Sequence, residues 1–375
     1  MSGARWPRRS RHSDGPWTQA VTRHAAAVQS ARHLGDQLSE AGALTDLGGA
    51  RQLTGDYAGS ARDLDQALAL YRSLGDRLGQ ANALTGLGAG RQLTGDYPGA
   101  ARDLDQALAL YRDLGSQLGQ ATALTYLADV RRLTGDFLRA ARELEQALSL
   151  YRELGSQLGQ ADALTRLADA RRRTGDYPSA ARDLEEALAL ARDLSNRLGE
   201  ANALTYLGDV RQLAGDSLAA ARDHELALSI YRDLGDRLGQ AGALTDLGGA
   251  RQLTGDYAGA ARDLDQALSL YRDVGDRGGE AEVLNETGTL HLASDEPARA
   301  RECHGQALEL ARAITSAWDE ASALAGLGHC AIVAGQPVHA RALLRQAHEV
   351  FERIGAAEAP AVLAELNALT PGHSS

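Results

Sequence analysis

Lysine is missing from this sequence of 375 residues; all 39 basic residues are arginine. That absence removes the phosphate-gripping lysine of a P-loop, Schiff-base chemistry, a pyridoxal-phosphate anchor and a kinase-type catalytic lysine. Cysteine is scarce as well. Cys303 and Cys330 are too few for a disulfide framework and fit a reducing compartment. Aromatic residues make up only 4% against 44% apolar residues in all, so a core has to be assembled from Leu and Ala at close approach. No apolar run reaches the ~18–20 residues that span a bilayer. Positive charge is in deficit: a net charge of −11 argues against nucleic acid as the main partner, because phosphates require a basic face. Met1 to His12 carries Arg5, Arg8, Arg9 and Arg11 with no apolar stretch behind them, unlike a secretory signal. These absences predict a cytoplasmic protein with no direct nucleic-acid or membrane partner.

What the sequence does contain is periodic. Residues 37–356 divide into eight blocks of 40. A period in the 20–50 range means a stacked array rather than one core, which would in any case be oversized for this length. In the second block an apolar-periodic run passes through Leu84, Leu87 and Leu93 and ends at Thr94-Gly95-Asp96. A second run passes through Ala100, Leu104, Ala107, Leu108 and Tyr111 and ends at Leu114-Gly115. Spacings of three and four mark one helical face, so each block reads as two helices joined by a tight turn.

The punctuation repeats with the core. Asp36, Asp76, Ser116, Ser156, Asn196, Asp236, Asp276 and Ser316 precede the first helices, and Asp56, Asp96, Asp136, Asp176, Asp216 and Asp256 precede the second. All are strong N-cap residues. Gly55, Gly95, Gly135, Gly175, Gly215 and Gly255 end first helices, where a left-handed residue is wanted. Pro98 and Pro178 fall in the first turn of a second helix, and Pro297 and Pro337 start theirs, where the missing N–H costs nothing. Gly48, Gly88, Gly208, Gly248, Gly288 and Gly328 recur inside helices, each costing about 1 kcal/mol relative to alanine. They read as points where the neighbouring helix crosses, as do Gly49, Gly86 and Gly90, and not as a phosphate loop, which precedes a helix. Stability then comes from stacking between blocks.

Leu47-Gly48 in the first helix, Tyr57 opening the second, the small residue Ala100 and the later alanine resemble the tetratricopeptide repeat. That later alanine recurs in every block as Ala67, Ala107, Ala147, Ala187, Ala227, Ala267, Ala307 and Ala347. The resemblance covers about 85–90% of the chain. It implies an all-α fold, an α-solenoid in which antiparallel helix hairpins wind into a right-handed superhelix. The 40-residue form with its Leu-Gly-Asp-Arg-Leu-Gly-Gln linker is similar to repeats of bacterial AfsR/SARP and MalT-like regulators and of animal Pins-type scaffolds. Without lysine there is no Walker motif, so only a sensing or scaffolding arm carries over.

Residues 1–16 read as a disordered basic arm and 17–34 as an orphan second helix aligned with the blocks, followed by the repeats to residue 356. Residues 357–370 read as a capping helix and 371–375 as a disordered tail. The unpaired helix 17–34 predicts self-association, since terminal repeats normally carry a polar face; an array starting in mid-repeat also fits a piece of a longer regulator. Residues 41–59 recur letter for letter at 241–259, which points to recent duplication. In blocks seven and eight Thr287 replaces the leucine of the Leu-Gly pair, Asp295 the turn glycine, and Pro297 and Pro337 the tyrosine. Either repeat decay or a specialised docking segment accounts for this.

The family implies that first helices line the concave surface through block positions 2, 5, 9 and 12. Positions 5, 9 and 12 share one face. They supply Thr125, Asp129 and Arg132; Thr165, Asp169 and Arg172; and Thr205, Asp209 and Gln212, while position 2 adds Asn82, Thr122, Asp162 and Asn202. This polar ladder suits an extended or helical peptide, although Asp129–Arg132 and Asp169–Arg172 also have the spacing to neutralise each other. Tyr126 and Tyr206 read as filling helix crossings. His291, Cys303, His304, His329 and Cys330 cluster late without metal-ligand spacing. His224 and His304 occupy the position of core Leu64 and Leu104 and read as buried, hydrogen-bonded histidines. The sequence motifs point to no catalytic residue, metal or cofactor. The sequence thus predicts a non-enzymatic scaffold binding a protein or peptide in the groove, with the sensing arm of a transcriptional or signalling system as the alternative.

Overall fold

A computed structural model describes residues 16–356 and 358–369. The predicted arm, apart from Pro16, and the predicted tail lie outside the described residues. Those residues form helices and no strand. They fall into two compact segments, one ending at Asn196 and one beginning at Arg197. The first holds α1 (Pro16–Leu34), α2 (Gln37–Thr54), α3 (Tyr57–Leu74), α4 (Arg77–Thr94), α5 (Tyr97–Asp113), α6 (Gln117–Leu133), α7 (Phe137–Glu153), α8 (Gln157–Arg173) and α9 (Tyr177–Asp193). The second holds α10 (Arg197–Leu213), α11 (Ser217–Leu234), α12 (Arg237–Leu253), α13 (Tyr257–Val274), α14 (Arg277–Ala293), α15 (Pro297–Ala313), α16 (Ala317–Val333), α17 (Pro337–Arg353) and α18 (Ala359–Ala368).

Helix ends follow the side chains read from the sequence. Asp56, Asp96, Asp136, Asp176, Asp216 and Asp256 each accept a backbone N–H three residues on, satisfying one of the orphan donors of a helix start. Ser316 differs: its hydroxyl bonds Asp319 at 2.6 Å instead of capping the backbone. The six turn glycines from Gly55 to Gly255 have φ between 82° and 89°. Asp295 takes the same left-handed conformation in block seven (φ 60°), as Ser195 (52°) and Thr315 (54°) do at block ends. Such a backbone costs an L-residue about 1–2 kcal/mol.

Packing explains the glycines inside helices. A Cβ on Gly48 would lie 2.6 Å from Leu64 Cγ, and one on Gly88 2.5 Å from Leu104 Cγ. The same position meets His224 at Gly208, Leu264 at Gly248, His304 at Gly288 and Leu344 at Gly328. In these six hairpins the side chain at block position 24 therefore lies where a Cβ at position 8 would go; the other two carry Ala128 and Ala168 at position 8. Gly49 is different, with nothing within 4 Å of its Cβ position. It is an exposed helical glycine and not a crossing point. Gly90 would meet only the flexible amide of Gln52.

Between hairpins the joint is a tyrosine on a glycine. Tyr71, Tyr111, Tyr151 and Tyr231 are buried at the ends of their hairpins. Each ring would lie 2.2–2.4 Å from a Cβ on Gly79, Gly119, Gly159 or Gly239 in the following helix. Alanine replaces the tyrosine at Ala31, Ala191 and Ala311; Ser39 and Asp319 follow the first and last of these in place of glycine, and Gly199 follows Ala191. Every described helix packs on its chain neighbour within its segment, and from α2 to α8 and from α10 to α16 each even-numbered helix also touches the next even-numbered one. No odd-numbered pair does so comparably among the described residues. The first helices of the hairpins thus form the closer-spaced, inner layer of each segment.

Candidate functional site

In the first segment the predicted ladder lies on α4, α6 and α8, and most of its polar atoms are engaged inside the protein. Asn82 is exposed and accepts a hydrogen bond from Tyr111 Oη at 2.7 Å. Thr122 donates to Leu118 O, Thr125 to Ala121 O and Thr165 to Ala161 O, at 2.8–2.9 Å. Their hydroxyls serve their own helix, a bond that competes with outside ligands.

Asp129, Arg132, Asp162, Asp169 and Arg172 are joined in one ion network. Arg132 Nε is 3.8 Å from Asp129 and its Nη1 3.4 Å from Asp169, while Arg172 donates to Asp169 at 2.7 Å. Arg166, from the next hairpin, bonds both Asp129 and Asp162. Asp129 and Asp169 are only 3% and 4% exposed. Burial opposes the Asp169 carboxylate, but Arg172, Arg132 and Arg173 outweigh it and hold its pKa below the ordinary value. Burial likewise opposes the Arg166 charge, and Asp129 and Asp162 more than offset it, holding it protonated. The intrahelical pairs read from sequence exist, and the structure adds cross-hairpin pairs that run through α6 and α8. Asp162 remains exposed at the edge of this network.

A second set of ion pairs was not read from the sequence. Arg51 reaches Asp63 at 2.8 Å, Arg171 reaches Asp183 at 2.6 Å and Arg211 reaches Asp223 at 2.6 Å; Arg91–Asp103 and Arg251–Asp263 form the same contact. Each spans twelve residues and ties the two helices of one hairpin. Burial pushes the Asp63, Asp103, Asp183 and Asp263 carboxyls up, and the facing arginine opposes it. The signal was present: block positions 11 and 23 are oppositely charged in six blocks and become His291/Cys303 and Ala331/Leu343 in the last two. A cavity of about 310 Å³ opens beside the first of these pairs, among Val28, Leu44, Leu47 and Arg51, away from the ladder.

In the second segment Asn202, Thr205, Asp209 and Gln212 lie on α10. Asn202 is exposed and accepts from Tyr231 Oη at 2.8 Å, and Thr205 donates to Ala201 O at 3.1 Å. Gln212 and Asp209 are half-buried. Nine predicted residues thus lie on α4, α6 and α8 of the first segment and four on α10 of the second. Acidic residues gather beyond α10: burial together with Asp209, Glu282 and Glu286 raises the pKa of Asp246. His304 bonds Asn285 Oδ1 through Nδ1 at 3.2 Å, as expected of a core histidine. His224, fully buried, has no hydrogen-bond partner at either nitrogen, contrary to the expectation. Burial depresses the pKa of both histidines to about 4. His291 pairs with Glu296 and His329 with Glu365, each at 2.7 Å, and both cysteines are free thiols. Among the described residues no helix is long and apolar enough to cross a membrane.

Comparison with known proteins agrees with this geometry. The fold resembles the apo form of RapI, with TM-score 0.64 and 13% identity over 74% of this chain and 99% of that one. It also resembles a Rap protein complexed with Competence and Sporulation Factor, with TM-score 0.60 and 15% identity over 94% and 97%. A Signal Transduction ATPase with Numerous Domains with a tetratricopeptide repeat sensor, from Pyrococcus horikoshii, gives TM-score 0.62 and 13% identity over 96% of this chain and 56% of that one. At these identities the likeness is one of fold. Sequence comparison with curated proteins finds no significant match. The tetratricopeptide repeat family model matches residues 39–113, 79–153, 159–233 and 239–313, well over half of the chain. With its paired helices, its recurrent alanine and this match, the chain belongs to the tetratricopeptide-repeat family.

Proposed function

We propose that the protein is a non-enzymatic scaffold that binds a protein or peptide along the inner face of its first helices. The observation that carries this reading is the ion network through Asp129, Arg132, Arg166 and Asp169. Its charges are held in place by one another, and Asn82 and Asp162 stand exposed on the same inner layer. A partner docking on the exposed Asn82 and Asp162 meets a surface braced by this buried network, whose ordering cost was met on folding, which is what preorganisation contributes to affinity. A face of this kind offers extended backbone donors and acceptors several partners, and it needs no cofactor. The fold-level likeness to a Rap protein complexed with Competence and Sporulation Factor supports a partner-binding role.

Site-specific photo-crosslinking tests the reading. A photoreactive residue at position 82 or 162 is expected to capture a discrete partner, whereas one at Asp65 or Gln106, exposed on second helices, is not. Equal or greater capture from the second helices would overturn it. The sensing-arm reading is favoured by the likeness to the ATPase with a tetratricopeptide repeat sensor; a neighbouring reading frame with a P-loop and a DNA-binding domain would support it. Self-association through α1 is the further expectation, and sedimentation showing a monomer at high concentration would exclude it.

A further inference from the structure

We propose that Asp209, His224 and Asp246 form a binding site for a divalent transition metal, with Zn²⁺ the fitting ion. One donor atom from each residue lies within 4.8 Å of the other two, and they come from three successive helices, α10, α11 and α12. This is the one such group among the described residues.

The position of His224 is what makes the cluster more than a pair of carboxylates. Six other blocks place leucine at this point: Leu64, Leu104, Leu144, Leu184, Leu264 and Leu344. The imidazole sits in the leucine's notch, with Cε1 2.5 Å from where a Cβ on Gly208 would be. It is 0% exposed and neither nitrogen has a hydrogen-bond partner in the protein. Nε2 faces Asp209 Oδ1 at 4.0 Å, too far for a hydrogen bond. Leaving buried polar atoms unsatisfied costs about 1–3 kcal/mol, so a histidine in place of a leucine here needs a partner that the chain alone does not supply.

The comparison with His304, the other histidine at this position, isolates the difference. Position 6 of the following hairpin packs on the position-24 side chain: a Cβ on Gly86 would lie 3.1 Å from Leu64, and one on Gly326 2.3 Å from His304. At His224 that place is taken by Asp246, and Asp209 adds a second carboxylate. His304 has Asn285 instead. An amide satisfies one nitrogen; two carboxyl groups and a neutral imidazole bring oxygen donors from two side chains and a nitrogen lone pair to one point. That donor set matches a borderline ion: three protein ligands with a fourth, open position suit Zn²⁺, at about 2.0–2.2 Å from each donor. Ca²⁺ and Mg²⁺ prefer oxygen alone. Each side chain must tilt inward to reach such distances, and Asp209 and Asp246 are only half-buried, which leaves them room. A bound ion would clamp the α10–α11 hairpin to α12, a cross-link between repeats.

The test uses the full-length chain after chelator treatment, titrated with Zn²⁺ by calorimetry and with Co²⁺ by visible absorption. One equivalent per chain is expected, with tetrahedral-type Co²⁺ bands and a zinc-dependent rise in thermal midpoint. His224→Leu installs the residue found in six sister blocks, so it keeps the fold by circular dichroism. It is expected to weaken the one-equivalent site at least tenfold and abolish the Co²⁺ bands, and Asp246→Asn to weaken it at least tenfold. His304→Leu is expected to leave binding unchanged. No one-equivalent binding in the unaltered chain, or equal binding in His224→Leu, would overturn the site. Because the crosslinking positions lie on α4 and α8, neither result bears on the proposed function.

Discussion

Gly119 and Gly49 are both helical glycines, and alanine at the two sites should act with opposite sign. At Gly49 a Cβ enters open space, so the substitution collects the intrinsic helix preference of alanine, about 1 kcal/mol of stabilisation. At Gly119 the new Cβ would stand 2.2 Å from Cδ1 and 2.4 Å from Cε1 of Tyr111, a ring only 4% exposed. A rigid, buried ring cannot turn away as a leucine tip can. Overpacking of this kind costs about 1–3 kcal/mol, which exceeds the propensity gain. Gly119→Ala should therefore destabilise by about 1–2 kcal/mol. In a Tyr111→Ala background, itself costly by about 3–5 kcal/mol, the penalty should vanish and the same substitution should become neutral or stabilising. The coupling is then a double-mutant interaction of about 1–3 kcal/mol. Urea titration followed at 222 nm measures it. Hydrogen exchange of α5 and α6 amides should accompany it, because repeat arrays open block by block and a single midpoint can hide a local change. Stabilisation by Gly119→Ala equal to that of Gly49→Ala, or an equal loss with and without Tyr111, would refute the steric account of the joint.

Thr315 holds φ at 54° with a β-branched side chain where six of the seven sister blocks have glycine; Thr315→Gly should raise thermal stability by about 1 kcal/mol, and no gain in the midpoint would count against strain there. His304 ordinarily titrates near 6.5 and is pushed down to about 4 by burial, so the folded protein binds fewer protons than the unfolded chain between these values. Stability should be full above pH 6.5 and fall on acidification towards pH 4, by on the order of 3 kcal/mol in all; His304→Leu should flatten that part of a stability–pH curve, and an unchanged slope would exclude the assignment. Arg166→Leu removes one of the arginines on Asp129, which is 3% exposed. It should cost about 3 kcal/mol and much less when Asp129→Ala is present, as read by a denaturation double-mutant cycle.

Local grammar made the fold legible. Asp56 and its counterparts, Gly55 and its counterparts, and the three-and-four spacing from Leu104 to Tyr111 each fix a boundary or a face within a few residues of themselves. Gly48 and Gly49 show where that reading stops. The two letters are identical, and only the 100° between them on the helix puts one against Leu64 and the other in solvent. The helices that carry the ladder were legible but its ion network was not, because Arg166 meets Asp129 from 37 residues away across a hairpin joint. Spacing within one helix, on which the Asp129–Arg132 reading rested, is silent about such a distance. His224 was read correctly as buried and wrongly as hydrogen-bonded. Its neighbours Asp209 and Asp246 come from different helices, and only the stacking of α10, α11 and α12 brings them to it.

The seating of each tyrosine on the glycine of the next hairpin also restricts how a gene of this kind can grow or shrink. Unequal crossing-over between identical stretches, such as 41–59 and 241–259, adds or deletes whole blocks in frame. A block that finishes in tyrosine can be followed only by one that opens with glycine, whereas the alanine-ending units before Ser39 and Asp319 tolerate other successors. Recombinants that respect this matching stay folded at once; those that break it inherit a steric fault at the new boundary. The order of units in the array is thus sterically constrained even where no partner ever touches it.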